Sequence, residues 1–385
     1  MKVLHLADLH AKASTLDVCG AYLAAVTDIV KKESVKVVLF AGDIYDHSVP
    51  GQKTINLLTS WFRQIAELGV YMEIIVGNHD IDDKQGIDGL SILETVIDDG
   101  QLWGKVHLYR ENSLSKVQIG SEILQIVAIP FPPRMMFVAE GNPDKDEQIA
   151  RGNIYVKDGI KKIMAKVDPS IPAVGMMHFG VQDCQIGQEQ SVPNGTEIQL
   201  KKTDIPDTLK YVAFGHYHSE QVITENARYA GSGYEIDYSE EGCRKGVVLV
   251  DSITGKSEFV SVKKTVIHKT IDITEENRSS LLGILKGVNL GTRVRIRGNI
   301  SGGLPNDDIT ALKKMVLAGK LILGSCKVTD SEKVGKALQS GMKKGLSLYE
   351  QVHAMCEKNK FEKKDTEKIW AFAQEVESEL EEKIK

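Results

Sequence analysis

The sequence predicts an α/β fold, an α+β sandwich, followed by a smaller α+β unit and a helical tail. Over about the first 260 residues, short apolar runs alternate with amphipathic stretches, the pattern of a layered α/β domain. From about Lys264 the pattern becomes strand, helix, strand, helix, strand, and the tail is charged with helical spacing. At 385 residues the chain exceeds one compact core, so two or three domains are expected.

Taken in order, five runs matter most: Val3–Leu6, Val37–Phe40, Glu73–Val76, Ala173–Met177 and Tyr211–Phe214. They are rich in β-branched and large apolar residues, as strands buried on both faces tend to be. Between the second and third, Ile55, Leu58, Phe62 and Ile65 stand at helical spacing and Gly69 closes the helix. Residues 225–262 show short alternating strands split by Gly-Ser and Thr-Gly turns, expected to form antiparallel hairpins covering one side of the sandwich. Domain boundaries are expected at 1–262 for the sandwich, 263–330 for a cap, 331–345 for a linker and 346–385 for a helical segment.

In the cap, strands at Val266–Ile273, Thr292–Ile300 and Leu321–Val328 enclose two helices, one carrying Leu281, Leu282, Leu285 and Val288, the other Ile309, Leu312, Met315 and Val316. In the tail, Ser347 and Glu350 have capping-box spacing, and Ile369, Phe372, Val376, Leu380 and Ile384 form one stripe suited to packing or docking.

Each apolar run ends in residues able to ligate metal: Asp8 and His10; Asp43 and Asp46; Asn78, His79 and Asp80; His178; His216 and His218. Carboxyl ends of strands are where α/β proteins build sites, because their loops converge on one crevice. Carboxylate, imidazole and amide oxygen suit Mn²⁺, Fe²⁺ or Zn²⁺. Two ions need a bridging ligand, and a carboxylate can use both oxygens; Asp43 is the expected bridge. Gly42, Gly77 and Gly215 allow sharp turns where a larger residue would crowd an ion. Singly such pairs are common on surfaces; five in order, each after a strand-like run, are not.

Bulk properties exclude other classes. The chain is 42% hydrophobic and 26% charged, and no apolar stretch is expected to reach the roughly 20 residues of a membrane span. The opening MKVLHLADLH reads as no signal peptide, because it carries the first ligand pair. Five scattered cysteines form no CxxC, which suggests inert thiols in a reducing cytoplasm. The net charge of −5 carries no global nucleic-acid signature.

The series DLH, GDIYD, GNHD, H and GHYH resembles the calcineurin-like metallophosphoesterase superfamily. With YVAFGHYHSEQ and YAGSGYEIDYSEEGCRKGVVLV, the chain looks more narrowly like the SbcD-type nucleases of DNA double-strand-break repair. The resemblance implies a four-layer metallophosphoesterase domain, with Asp8, His10, Asp43 and His218 binding one divalent ion and Asp43, Asn78, His178 and His216 the other. Mn²⁺ leads, with Mg²⁺, Fe²⁺ and Zn²⁺ as alternatives. His79 would contact the scissile phosphate and protonate or stabilise the leaving oxygen, with Asp80 holding its ring. A second histidine beside His178 is missing from the fourth motif. Asp46 reads as a hydrogen-bond acceptor behind the ligands, His5 as a packed core residue, and His47 as a loop residue near substrate.

The resemblance also implies a DNA substrate, a homodimer formed by the segment carrying Ile87, Leu90 and Leu93, and terminal helices gripping an SMC-like ATPase of the SbcC type. No membrane role is implied. DNA would need local cations; Arg293, Arg295 and Arg297, alternating along one strand, are the leading candidates, with Lys12, Lys53 and Arg134 behind them. The expected activity is exonuclease on duplex ends and endonuclease on single strands. A phosphatase or cyclic-nucleotide phosphodiesterase of the same fold, and a non-catalytic scaffold, are the competing readings.

Overall fold

The structure, a computed structural model, describes residues 1–82, 88–91, 104–133, 135–138, 144–185, 197–301, 303–318 and 320–330. It divides into two compact units, Met1–Lys269 and Thr270–Lys385.

In the first unit the strands are β1 (Lys2–Leu6), β2 (Val37–Ala41), β3 (Tyr71–Ile75), β4 (Val106–Tyr109), β5 (Ser113–Ile119), β6 (Glu122–Ile129), β7 (Ala173–His178), β8 (Gly180–Val181), β9 (Gln199–Leu200), β10 (Tyr211–Gly215), β11 (Gln221–Thr224), β12 (Ala227–Tyr229), β13 (Gly246–Asp251) and β14 (Ser257–Ser261). Two six-stranded sheets form, ordered β14-β13-β1-β2-β3-β4 and β11-β12-β10-β7-β6-β5. Within them β1, β2 and β3 run parallel, as do β6, β7 and β10. The carboxyl ends that carry the candidate ligands therefore lie on one side within each sheet.

Side-chain alternation sorts the core into layers. Val3, Val37, Leu39, Ile126, Val174 and Met176 fill the space between the sheets. Leu4, Leu6, Val38 and Phe40 point the other way, onto helices α1 (Leu16–Glu33) and α2 (Gln52–Glu67). Val127, Met177, Val212 and Phe214 pack against helix α3 (Lys145–Met164), which contributes Val156, Ile160 and Ile163. The order is helix, sheet, sheet, helix, the four layers expected. Burial of Ile55, Leu58, Phe62 and Ile65 from α2 contributes about 1.5–3 kcal/mol each. Gly69 follows that helix at φ 80, as its sequence position suggests.

His5 lies in the layer between the sheets, fully buried. Its Nε2 meets the Phe214 carbonyl at 3.2 Å and its Nδ1 the Tyr211 hydroxyl at 2.9 Å. A neutral ring satisfies both, donating from Nε2 and accepting at Nδ1. Burial holds it neutral, with a pKa lowered to about 3.

Several expectations need correction. Residues 225–262 do not cover a face: β13 and β14 extend the first sheet beyond β1, and β12 pairs parallel with β10 in the second. The helix Ala13–Glu33 does reach the length and hydropathy of a membrane span. Its Cys19, Tyr22, Leu23, Val26 and Val30 are buried on the first sheet, so core packing accounts for their apolarity. The first compact unit runs to Lys269, and the segment after residue 262 is tied to it. The buried Glu235 carboxylate accepts from Lys264 Nζ and the His268 backbone N–H, both at 2.6 Å. Cysteines 19, 184 and 243 are buried and free, but Cys326 is exposed.

The second unit has a three-stranded sheet ordered β15 (His268–Ile273), β16 (Thr292–Ile300) and β17 (Leu321–Asp330). Helices α4 (Leu281–Lys286) and α5 (Asn306–Leu317) supply Leu281, Leu285 and Leu312 to a core shared with Ile271, Val294 and Ile296. Of the proposed dimer segment, Leu90 is buried, while Ile87 and Leu93 lie outside the described residues. So do Arg134 and the terminal segment 346–385.

Candidate metal centre

The first sheet delivers Asp8 and His10 after β1, Asp43 after β2 and Asn78 after β3. The second delivers His178 at the end of β7 and His216 and His218 after β10. All seven expected ligands come together. Asp8, His10 and His218 have donor atoms close enough to hold one ion, and Asp43, His178 and His216 form a second such group. Asn78 Oδ1 lies 3.1 Å from His178 Nε2 and 2.9 Å from His216 Nδ1, completing the second set.

Asp43 stands between the two groups. Its Oδ2 is 3.5 Å from His10 Nε2 and 3.3 Å from His178 Nε2, one residue from each group. Its Oδ1 accepts the His79 backbone N–H at 2.8 Å. The carboxylate is thus fixed through one oxygen and shared through the other.

Two observations test whether these residues fit cations. Asp8 Oδ1 accepts the His216 N–H at 2.9 Å, but Asp8 Oδ2 is buried with no hydrogen-bond partner. An unpaired buried carboxylate oxygen is costly unless a cation satisfies it. His10 Nε2 and His218 Nε2 face each other at 3.1 Å, as two nitrogens sharing an ion would. The donor set and its burial therefore fit divalent cations.

The electrostatics agree. Burial raises Asp8 to about 6, partly offset by the His178 and His218 rings. Burial alone would raise Asp43 too, but His178 and His10 hold it well below the usual carboxylate range. Burial opposes charge on His178, yet Asp43 outweighs it and lifts the ring to about 9. A cation bound by the same atoms would take that proton's place.

The backbone is bent to achieve this. Asp8, His10, Asp43 and His216 have φ of 52°, 45°, 52° and 99°, a region that non-glycine residues rarely occupy. Gly77 is required by close approach: a Cβ there would collide with Asp43 Oδ1 and its backbone nitrogen. The clash is with the side chain and backbone of Asp43 itself. Gly77→Ala is expected to destabilise the fold by about 1–3 kcal/mol and to displace Asp43. Denaturant unfolding and metal binding measure this; unchanged values for both would refute the packing argument.

His79 is exposed, unlike its neighbours. Its Nδ1 meets the Asp46 backbone carbonyl at 3.0 Å. Asp80 does not hold this ring, which corrects the expectation. Its buried carboxylate accepts the Tyr45 and Gly77 N–H groups, both at 2.9 Å, and so ties the second and third motif loops together. Burial raises Asp80 to about 7. His79 also has a donor atom near His10 and Asp43, so a ligand role is open to it by distance. Asp46 lies behind the ligands, accepting from Lys12 Nζ at 3.0 Å, with the exposed His47 3.0 Å from its other oxygen.

The motifs do not reveal two further residues. Glu197 Oε2 lies 3.2 Å from His216 Nε2, and Glu240 Oε1 lies 2.8 Å from His218 Nδ1. In the second unit, Arg293, Arg295 and Arg297 alternate with buried Val294 and Ile296 as expected. Arg295 donates to Thr270 Oγ1 at 2.9 Å, and Arg297 is ion-paired with Asp272, which reduces its free charge.

A family model described as Calcineurin-like phosphoesterase matches residues 1–220. The chain is similar to the SbcD component of the SbcCD nuclease from Bacillus subtilis (strain 168), at 24% identity over 272 residues, 66% of this chain and 67% of that protein. The SbcD components from Rhodobacter capsulatus and Staphylococcus epidermidis are 25% and 24% identical, covering 66% and 65% of this chain and 67% and 66% of theirs. The similarity thus spans about two thirds of each relative.

Proposed function

Because the chain belongs to the calcineurin-like phosphoesterase family, we propose that it is a two-metal DNA nuclease that acts with an SMC-like ATPase of the SbcC type. The observation that carries the catalytic part is the position of Asp43 Oδ2 between His10 and His178. The names of the relatives support the nuclease and ATPase parts.

In this reading Asp8, His10, Asp43 and His218 hold one divalent ion, and Asp43, Asn78, His178 and His216 the other. Mn²⁺ is the proposed metal. When bound, the ions would supply Lewis acidity and neutralise charge developing on the phosphoryl oxygens. The chain's own part is positioning and proton transfer. Its ligand side chains are mostly buried, whereas His79 is exposed and so open to a substrate arriving from solvent. With Nδ1–H donated to the Asp46 carbonyl, Nε2 is left to meet the scissile phosphate and, when protonated, to donate to the leaving oxygen. Asp80 supports this indirectly, by joining the loops that carry Asp43 and His79.

Arg293, Arg295 and Arg297 are proposed to contact DNA phosphates, with His47 beside the centre as a weaker contact. Homodimerisation through the segment around Leu90, ATPase docking through 346–385, and attack on duplex ends and single strands belong to the same proposal. Incubation with Mn²⁺ and labelled linear duplex, beside a phosphomonoester, tests it. Cutting of DNA is expected; failure to cut it even with the ATPase partner and ATP would refute the DNA reading. Hydrolysis of the monoester alone would favour a phosphatase.

A further inference from the structure

Glu240 sits on the short 3-10 turn Tyr238–Glu240 and is buried, with 1% of its surface exposed. Its two oxygens have different tasks. Oε2 accepts from Ser232 Oγ at 2.6 Å, from the Ile236 N–H at 3.2 Å and from Lys245 Nζ. Oε1 faces the Nδ1 of His218 at 2.8 Å. Three donors therefore fix the carboxylate, and the remaining oxygen is presented to the imidazole.

Lys245 has its own reason to be there. It is almost fully buried, and its ammonium also donates to the His218 carbonyl at 3.1 Å and to Ser232 Oγ at 2.6 Å. A buried ion pair recovers little net stability once desolvation is counted, so such a pair is weakly explained by stability alone. Here the pair grips His218 twice, by ring through Glu240 and by backbone through Lys245.

From this geometry we propose that Glu240 is a positioning residue for the metal centre: held by Lys245, Ser232 and the Ile236 N–H, it keeps the His218 proton on Nδ1 and turns Nε2 toward the ion shared with Asp8 and His10. The proposal rests on the two-metal reading above. A carboxylate behind a histidine ligand fixes the tautomer and raises the basicity of the ligating nitrogen. Glu240 does not itself approach the ion, because it contacts the ring nitrogen remote from His10; the nearer nitrogen, Nε2, is 3.1 Å from His10 Nε2.

Glu240→Gln gives a specific expectation. The amide has one acceptor oxygen, and three donors compete for it on the Oε2 side. The NH₂ group is then left facing His218 and requires Nδ1 to accept, so the ring proton moves to Nε2. Ring ¹⁵N spectra of histidine-labelled protein report this directly, with the Nδ1–H form expected in the wild type and the Nε2–H form in the variant. Mn²⁺ titration should show one of two sites weakened about 10–100-fold and the other unchanged. In a His218→Ala background, Glu240→Gln should have no further effect on Mn²⁺ affinity.

An unchanged tautomer, equal weakening of both sites, or additive effects in the double variant would overturn the proposal, since a purely structural Glu240 would act on both sites. Wild-type protein that binds no Mn²⁺ would instead refute the two-metal reading on which it stands.

Discussion

Asp43→Asn is expected to remove both ions from the protein and to lower phosphodiester cleavage by about a thousandfold or more, the several kcal/mol that metal ions contribute to such reactions. One oxygen of the Asp43 carboxylate carries the effect. Oδ2 lies 3.5 Å from His10 Nε2 and 3.3 Å from His178 Nε2, so both ligand sets lose their shared anion together. Asparagine can still accept the His79 N–H through Oδ1, so the loop need not move. Asp8→Asn is the control, because Asp8 belongs to only one set. Metal content after saturating Mn²⁺ and removal of free ion separates the cases. The Asp43 variant should hold none, the Asp8 variant one. Two ions retained by Asp43→Asn would show that the carboxylate is not a bridge.

His79→Ala should lower kcat by about 10²–10⁴-fold, the usual contribution of a general acid, while the variant keeps both ions. His79 is exposed, whereas Asp8, His10, Asp43 and His178 are buried, and its ring Nδ1 is held by the Asp46 backbone carbonyl. The distances also permit ligation, since His79 lies within reach of His10 and Asp43. Metal content decides between the roles: loss of an ion along with activity would make His79 a ligand and remove it as the acid.

Much of this was legible in the sequence because the site is built at strand ends. An all-apolar run such as Val37–Ala41 marks a doubly buried parallel strand, and the polar residues that follow must emerge at its carboxyl end. Five such runs therefore pointed to seven candidate ligands, spread from Asp8 to His218 along the chain, which the strand ends bring together. Support for the ligands was much less visible. Glu197 and Glu240 are single acidic residues outside the motifs, and nothing in their spacing indicates which histidine they touch. Asp80 misled for the related reason that adjacency to His79 suggested contact, whereas the backbone turn sends its carboxylate inward to Tyr45 and Gly77.

Strand placement failed in a similar way. Alternation in residues 246–261 shows which faces are buried, but not which sheet edge the hairpin joins, and that edge is set by pairing with β1. The apolarity of helix α1 resembles a membrane span because one face is core and the other contains alanine and small residues. Only packing on the first sheet distinguishes the two.

Mn²⁺ titration followed by electron paramagnetic resonance reads directly whether Asp43 is shared by a pair of ions. The expected result is two Mn²⁺ per chain with an exchange-coupled signal, as ions about 3.5–4 Å apart and joined by a carboxylate produce. A single bound ion, or two that remain magnetically independent, would contradict it.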